Sequence, residues 1–184
     1  WHSFFDLETL EGLFPGLDRE QVLRSYRAAL DVHPRATLLS RLLYLNARTY
    51  LLDDLLPKMD RMTMAHGLEG RSPLLDRDLL ELAAQLPDGL KRRGGRGKLA
   101  LKKAVELLLP PGILDRPKHG FGLPIGEWFR GDLRPMVGDT LLSGARLARR
   151  LRPGALERLV ADHDAGRVDR GHQLWTLLTL ELWL

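Results

Sequence analysis

Residues 116–128 read R-P-K-H-G-F-G-L-P-I-G-E-W, from Arg116 to Trp128. The run contains three glycines, two prolines, Arg116, Lys118 and the aromatics Phe121 and Trp128, and it follows neither a helical nor a strand period. Glycine lets backbone pass close to a ligand, and proline stiffens the turns on either side. Lys118 therefore sits between two rigid points on what reads as a presenting loop.

Outward from this loop the chain reads as helices. Asp18 to Gln21 has the form of an acidic cap, followed by a stripe of Val22, Leu23, Tyr26 and Leu30 that His33-Pro34 ends. Leu38, Leu39, Leu42, Leu43 and Leu45 predict a second helix over 36–52. Asp53 is placed to cap a third, with Pro57 near its first turn and its end at His66-Gly67. Leu79, Leu82, Ala83 and Leu86 form a stripe between a cap at Asp76 and a stop at Pro87. A basic, glycine-rich hinge, residues 91–97, precedes a further stripe of Leu101, Ala104, Val105 and Leu108. Helical periods return over 133–142, 155–163 and 173–184. Two-residue alternation is nowhere sustained, and β-branched residues are few. The expected fold class is all-α, with no internal repeat or heptad run.

With 184 residues and 44% apolar content, the chain is long enough for one domain, 1–184, burying about 70% of its unfolded surface. Without cysteine it has no disulfide, thiolate metal site or cysteine nucleophile. Neither a signal pattern nor a long uncharged apolar run is present, so a cytoplasmic setting is expected, and the start at Trp1 suggests excision from something longer. The net charge of +4 is uneven: residues 91–103 hold seven Lys/Arg and no acid, and residues 146–152 hold four Arg and no acid. Such local basicity suits an anionic ligand or a phosphate-rich partner.

Four other residues join Lys118 as site candidates. Glu69 and Arg71, in L-E-G-R-S-P, form either an acid and a base of one site or an ion pair that pins a loop, with Asp60 and Arg61 near the same network. Lys98, in G-R-G-K-L-A-L-K-K-A, opens a helix, where a cation is unfavourable unless an anion sits there too. Arg116 is the last, either a phosphate contact or a partner for a nearby acid. His119 reads as a variable loop residue and Asp76 as a cap. Met59, Met62 and Met64 read as core, and Phe121 and Trp128 as anchors of the loop.

Three features together resemble the asparagine synthase-like amidotransferases. Arg116, Pro117, Lys118, Gly120, Phe121, Pro124 and Trp128 match the R-P-K-x-G-F-x-x-P-x-x-x-W run near the end of that family's synthetase domain. Asp60 to Asp76, D-R-M-T-M-A-H-G-L-E-G-R-S-P-L-L-D, is the second match, and Lys98 is the third. The resemblance covers roughly residues 50–131. It implies the helical C-terminal portion of an α/β adenine-nucleotide α-hydrolase-like (PP-loop ATP pyrophosphatase) synthetase domain whose nucleotide-binding sheet is absent from this chain. It further implies ATP with Mg2+ as cofactor, a carboxylate such as aspartate activated as an acyl-adenylate, and amide formation with ammonia from glutamine. By that resemblance Lys118, which matches the family's lysine at the phosphates of the nucleotide intermediate, would make the same contact, and Glu69 joins it as a catalytic candidate. Arg71, Lys98 and Arg116 would bind substrate or nucleotide phosphate, with no resident protein metal site.

The family's S-G-G-x-D-S and S-G-x-G-x-D-E segments and its N-terminal nucleophilic cysteine do not occur in this sequence, and no Walker or zinc spacing replaces them. The expected partners are therefore the glutaminase and PP-loop portions of a parent chain, and this chain alone is expected to be inactive. Within the family, lasso-peptide and β-lactam-forming cyclases remain open, since they share adenylation and differ in the nucleophile. The rival from another class is an all-α nucleic-acid or phosphoprotein binding module using the two basic runs.

Overall fold

The computed structural model describes residues 3–117 and 122–184. Its first half comprises α1 (Leu7–Leu13), α2 (Arg19–Asp31), α3 (Leu38–Asn46), a π-helical run (Ala47–Leu55), α4 (Leu56–Met64), α5 (Arg77–Gln85) and α6 (Asp88–Lys91). Strands β1 (Arg92–Arg93) and β2 (Arg96–Gly97) come next, then α7 (Leu99–Val105), α8 (Ile125–Arg130) and α9 (Arg134–Val137). A π-helical turn (Gly138–Leu142), α10 (Ala155–Asp164) and α11 (Gly171–Trp183) complete the chain. The protein is all-α, and the two-residue pair β1–β2 is the one sheet among the described residues.

Two expected caps form as read. Asp18 accepts the N–H groups of Glu20 at 2.9 Å and Gln21 at 3.3 Å, and Asp76 accepts those of Asp78 at 3.0 Å and Leu79 at 3.2 Å. Each takes up backbone donors that a helix start leaves unsatisfied.

Other expectations are corrected. Asp53 caps nothing: it lies inside the π-helical run, which joins α3 to α4 without a break, and both flanking residues, Asn46 and Leu56, are in right-handed helical conformation. A widened turn just ahead of Pro57 relieves the clash its ring makes with a preceding carbonyl, so the proline is absorbed without ending the helix. The basic hinge is a hairpin, with Arg92 opposite Gly97 and Arg93 opposite Arg96. Its turn is Gly94-Gly95, both at positive φ (54° and 79°), as a tight two-residue turn requires. Strands of two residues are too short to show alternation. Likewise the C-terminal end of the 116–128 run is helical, because α8 begins at Ile125 directly after Pro124.

The chain divides into two compact units, one made of Trp1–Gln21 and Gly120–Leu184, the other of Val22–His119. The first has a conventional core. Phe129, Leu141, Leu147 and Leu174 are each 1% exposed, and Leu156, Leu159, Leu177 and Leu178 pack around them. Arg152 ties α1 to this body through its backbone N–H to the carbonyl of Leu13 (2.7 Å) and its Nε to the carbonyl of Glu11 (2.9 Å).

In the second unit no described residue is fully buried. Its amphipathic helices leave leucines half-covered or open, as at Leu38 (67% exposed), Leu82 (59%) and Leu108 (78%). The methionines expected in a core follow suit. Met62 and Met64 are exposed, and only Met59 is half-buried, with Ser72 Oγ 3.8 Å from its sulfur.

Candidate functional site

Lys118 lies outside the described residues, as do His119 and Phe121. The segments flanking it are described, and each is held by its own unit. Upstream, a 3-10 turn (Ile113–Asp115) leads into an exposed Arg116. Arg96 donates to Asp115 Oδ1 at 2.6 Å, and Lys102 Nζ donates to the carbonyl of Leu114 at 2.6 Å. Two cations of the basic run 91–103 are thus spent on fastening this turn, and Asp115 pairs with Arg96 rather than with its neighbour Arg116.

Downstream, α8 carries the anchor, but at a residue other than the one expected. Trp128 is 42% exposed, whereas Phe129 is 1% exposed in the core and stacks on Trp175 with ring centroids 6.4 Å apart. Gly126 is buried against α10 and α11. Its carbonyl oxygen is 2.9 Å from Nε2 of His163, a fully buried residue of α10. Sequence reasoning missed His163, although the signal was there. Leu156, Leu159 and Val160 define the buried stripe of α10, and His163 continues it at the next helical step.

Glu69 and Arg71 lie on the exposed segment after α4 and pair with each other at 2.7 Å, their side chains 67% and 81% exposed. That arrangement keeps a carboxylate and a guanidinium together in solvent, open to a ligand. Gly70 between them is close to α4: a Cβ there would stand 3.0 Å from Met59 Cε.

Lys98 is the only described non-glycine residue at positive φ, 57° with ψ 36°. It precedes the seven-residue α7 and lines an apolar groove of about 420 Å³ with Leu43, Leu79, Leu82, Leu86 and Leu101. A left-handed lysine costs on the order of 1–2 kcal/mol against the right-handed form. The surrounding hairpin and helix impose it.

Much of the basic charge is engaged within the chain. Besides Arg96 and Lys102, Lys91 donates to the carbonyl of Ala84 at 3.0 Å and Lys103 pairs with Glu106 at 2.5 Å. In the second run the backbone of Arg146 and Leu147 reaches Glu181 at 2.9 and 2.7 Å, and the Arg146 side chain bonds the carbonyl of Leu184. These bonds tie helices and turns together. A phosphate-tracking surface needs such cations free.

An all-α chain with a glycine-, proline- and lysine-containing run at residues 116–124 is the class that fold and sequence define. The sequence model of the family described as "Asparagine synthase" matches residues 5–184. The chain belongs to the asparagine synthase family. It is 32% identical over 145 residues to the glutamine-hydrolysing asparagine synthetase 1 of Bacillus subtilis (strain 168), covering 79% of this chain and 23% of that protein. It is 38% identical over 106 residues to the glutamine-hydrolysing asparagine synthetase of Gallus gallus, covering 52% of this chain and 18% of that protein. A carboxyethyl-arginine beta-lactam-synthase of Streptomyces clavuligerus is 37% identical over 87 residues, covering 37% and 17%. The chain thus spans less than a quarter of the length of these curated relatives. No solved structure gives a significant match.

No group of three carboxylate or imidazole side chains is placed to hold a metal ion among the described residues, and the sequence has no S-G-G-x-D-S cradle. No helix among the described residues is long and apolar enough to cross a membrane.

Proposed function

We propose that this chain is the helical C-terminal portion of a synthetase that activates a carboxylate, aspartate in the leading reading, as an acyl-adenylate and converts it to an amide with ammonia derived from glutamine. The observation that carries this is the family match over residues 5–184, within which the R-P-K-H-G-F-G-L-P run is intact. The nucleotide, when bound elsewhere in the complete enzyme, supplies the activated leaving group. This chain's part is to bring Lys118 toward the charge developing there, a contribution on the order of 3 kcal/mol for a preorganised donor. Arg116 and Lys98 are assigned to phosphate oxygens, and Glu69 with Arg71 to the acceptor side.

Glutaminase and PP-loop portions are the assigned partners, and the uncovered leucines of the second unit suit a helical layer whose core is completed by such a neighbour. Incubating the complete enzyme with ATP, Mg2+, aspartate and glutamine should release pyrophosphate and yield asparagine. Pyrophosphate release with no asparagine would move the reading to the adenylating cyclases. Absence of aspartate-dependent release, together with salt-sensitive nucleic-acid binding by this chain, would establish the rival binding module.

A further inference from the structure

We propose that the cavity between α1 and α10 binds a free α-amino acid through its ammonium and its carboxylate. Every residue that lines this cavity belongs to the first unit, and none of Glu69, Arg71, Lys98 and Arg116 is among them. The inference therefore stands without the synthetase reading given above.

The space itself is the first observation. It measures about 450 Å³, and Gly12 of α1 and Ala155 of α10 are the smallest residues on its walls. Glycine weakens a helix and is normally kept where a backbone angle or a crowding neighbour requires it. Neither condition holds at Gly12. Its φ is not positive, and a Cβ there would meet nothing within 4 Å beyond its own turn. What the glycine leaves is open room in the cavity.

Charge is the second observation. Asp6 is taken up by the N–H of Thr9 at 2.6 Å, and Asp162 by Arg167, whose Nε and Nη2 donate to it at 2.9 and 2.7 Å. That leaves Glu8 on the α1 wall and Arg158 on the α10 wall, both exposed. Glu8 acts on Arg19 only through space, and neither Glu8 nor Arg158 forms a side-chain hydrogen bond or ion pair with another described residue. Arg170 lines the same cavity. Its Nη1 donates to Gln173 at 3.0 Å, while its Nε is buried with no acceptor among the described residues.

An unpaired acid and an unpaired base on opposite walls suit a ligand that carries both charges. A carboxylate accepts parallel N–H bonds from a guanidinium such as that of Arg158, and it gives Arg170 a further acceptor. An ammonium brings its donors to Glu8. The buried side chains of Leu13 and Leu159 line the cavity beneath these groups and limit the water that would screen them. Either charge alone is an ordinary surface residue; the cavity between them makes the site.

Calorimetric titration of the 184-residue chain with L-asparagine, whose side chain adds no charge, tests this. Saturable binding is expected, with a dissociation constant of about 1 mM or tighter. N-acetyl-L-asparagine lacks the ammonium and the α-amide of L-asparagine lacks the carboxylate, so each should bind about tenfold more weakly or worse. Glu8→Gln should weaken L-asparagine about fivefold and leave the N-acetyl form unchanged, and Arg158→Gln should weaken it as much and leave the α-amide unchanged. Gly12→Leu fills the cavity. It should abolish binding at a melting temperature equal to or above wild type, because leucine favours the helix.

No saturation up to about 20 mM would overturn the proposal. Equal binding of the three probes would overturn it as well, since the site would then ignore charge. So would binding that survives Gly12→Leu. If that variant fails to fold, the two exposed substitutions still decide the matter, because surface changes of this kind leave stability nearly untouched.

Discussion

A Cβ on Gly171 would stand 2.7 Å from both Cα and N of Gly126. Helices α8 and α11 therefore meet backbone to backbone, and neither side has a flexible atom to yield. Gly171→Ala should destabilise the chain by about 2 kcal/mol, read as a lower denaturation midpoint at unchanged slope. At Gly126 an added methyl instead meets Asp169 Oδ1 at 2.5 Å, the far end of a side chain that is 69% exposed. Gly126→Ala should cost less, and Asp169→Ala in the same chain should recover most of the loss. Equal cost at both glycines would show that the close approach is not what limits packing.

Lys98 stores strain at a position assigned to charge. Lys98→Gly, which adopts the left-handed conformation freely, should unfold within about 1 kcal/mol of wild type while lowering pyrophosphate release by the complete enzyme. Lys98→Val should lose stability as well, because a β-branched residue tolerates positive φ poorly. Thermal unfolding and release measured on both variants test the pair of claims. A glycine variant with normal release would remove Lys98 from the site.

The ion pair of Glu69 with Arg71 is solvent-exposed, so Glu69→Ala should shift stability by less than about 0.5 kcal/mol. In the complete enzyme the same change should weaken amide formation and leave glutamine hydrolysis nearly unchanged. Parallel loss of the two activities would make the pair a loop fastener.

Lys118→Ala should lower the adenylation-dependent rate by about a hundredfold or more with a melting temperature close to wild type. Lys118→Arg should rescue poorly, because a planar fork replaces a compact ammonium. Near-normal pyrophosphate release from the alanine variant would reject the role assigned to the loop.

Acid should loosen α1 first. Asp6 accepts the N–H of Thr9 at 2.6 Å, and this bond, with the Thr9 side chain and the charge of Arg170, holds its carboxyl below the usual range. Glu11 is held low by its hydrogen bond to Arg19 and then by the charges of Arg19 and Arg152. A depressed folded pKa stabilises the protein above the ordinary carboxylate value and loses that contribution as pH falls through the folded value. The unfolding midpoint should therefore drop below about pH 4, and Asp6→Asn should flatten the slope. An identical acid profile in that variant would exclude the cap as its source.

Helical class was legible in the sequence because it depends on local information. Side chains spaced at three and four residues report a buried stripe, and caps such as Asp18 and Asp76 act within one turn. Local information also singled out the Gly/Pro loop and its lysine. Asp53 misled because a cap residue and a proline look alike whether the helix stops or widens into a π turn, and the choice depends on how the wider turn relieves the proline. The hairpin at 92–97 was too short to announce itself.

Tertiary structure decided what the stripes were for. Periodicity is as clear in the second unit as in the first, yet only the first buries its leucines, because burial requires an opposing face and not just a pattern. It also decided the anchors. Phe129 rather than Trp128 enters the core, and His163 reaches a carbonyl 37 residues away in sequence. No spacing rule spans that distance, since the two residues meet only after α8, α10 and α11 have packed.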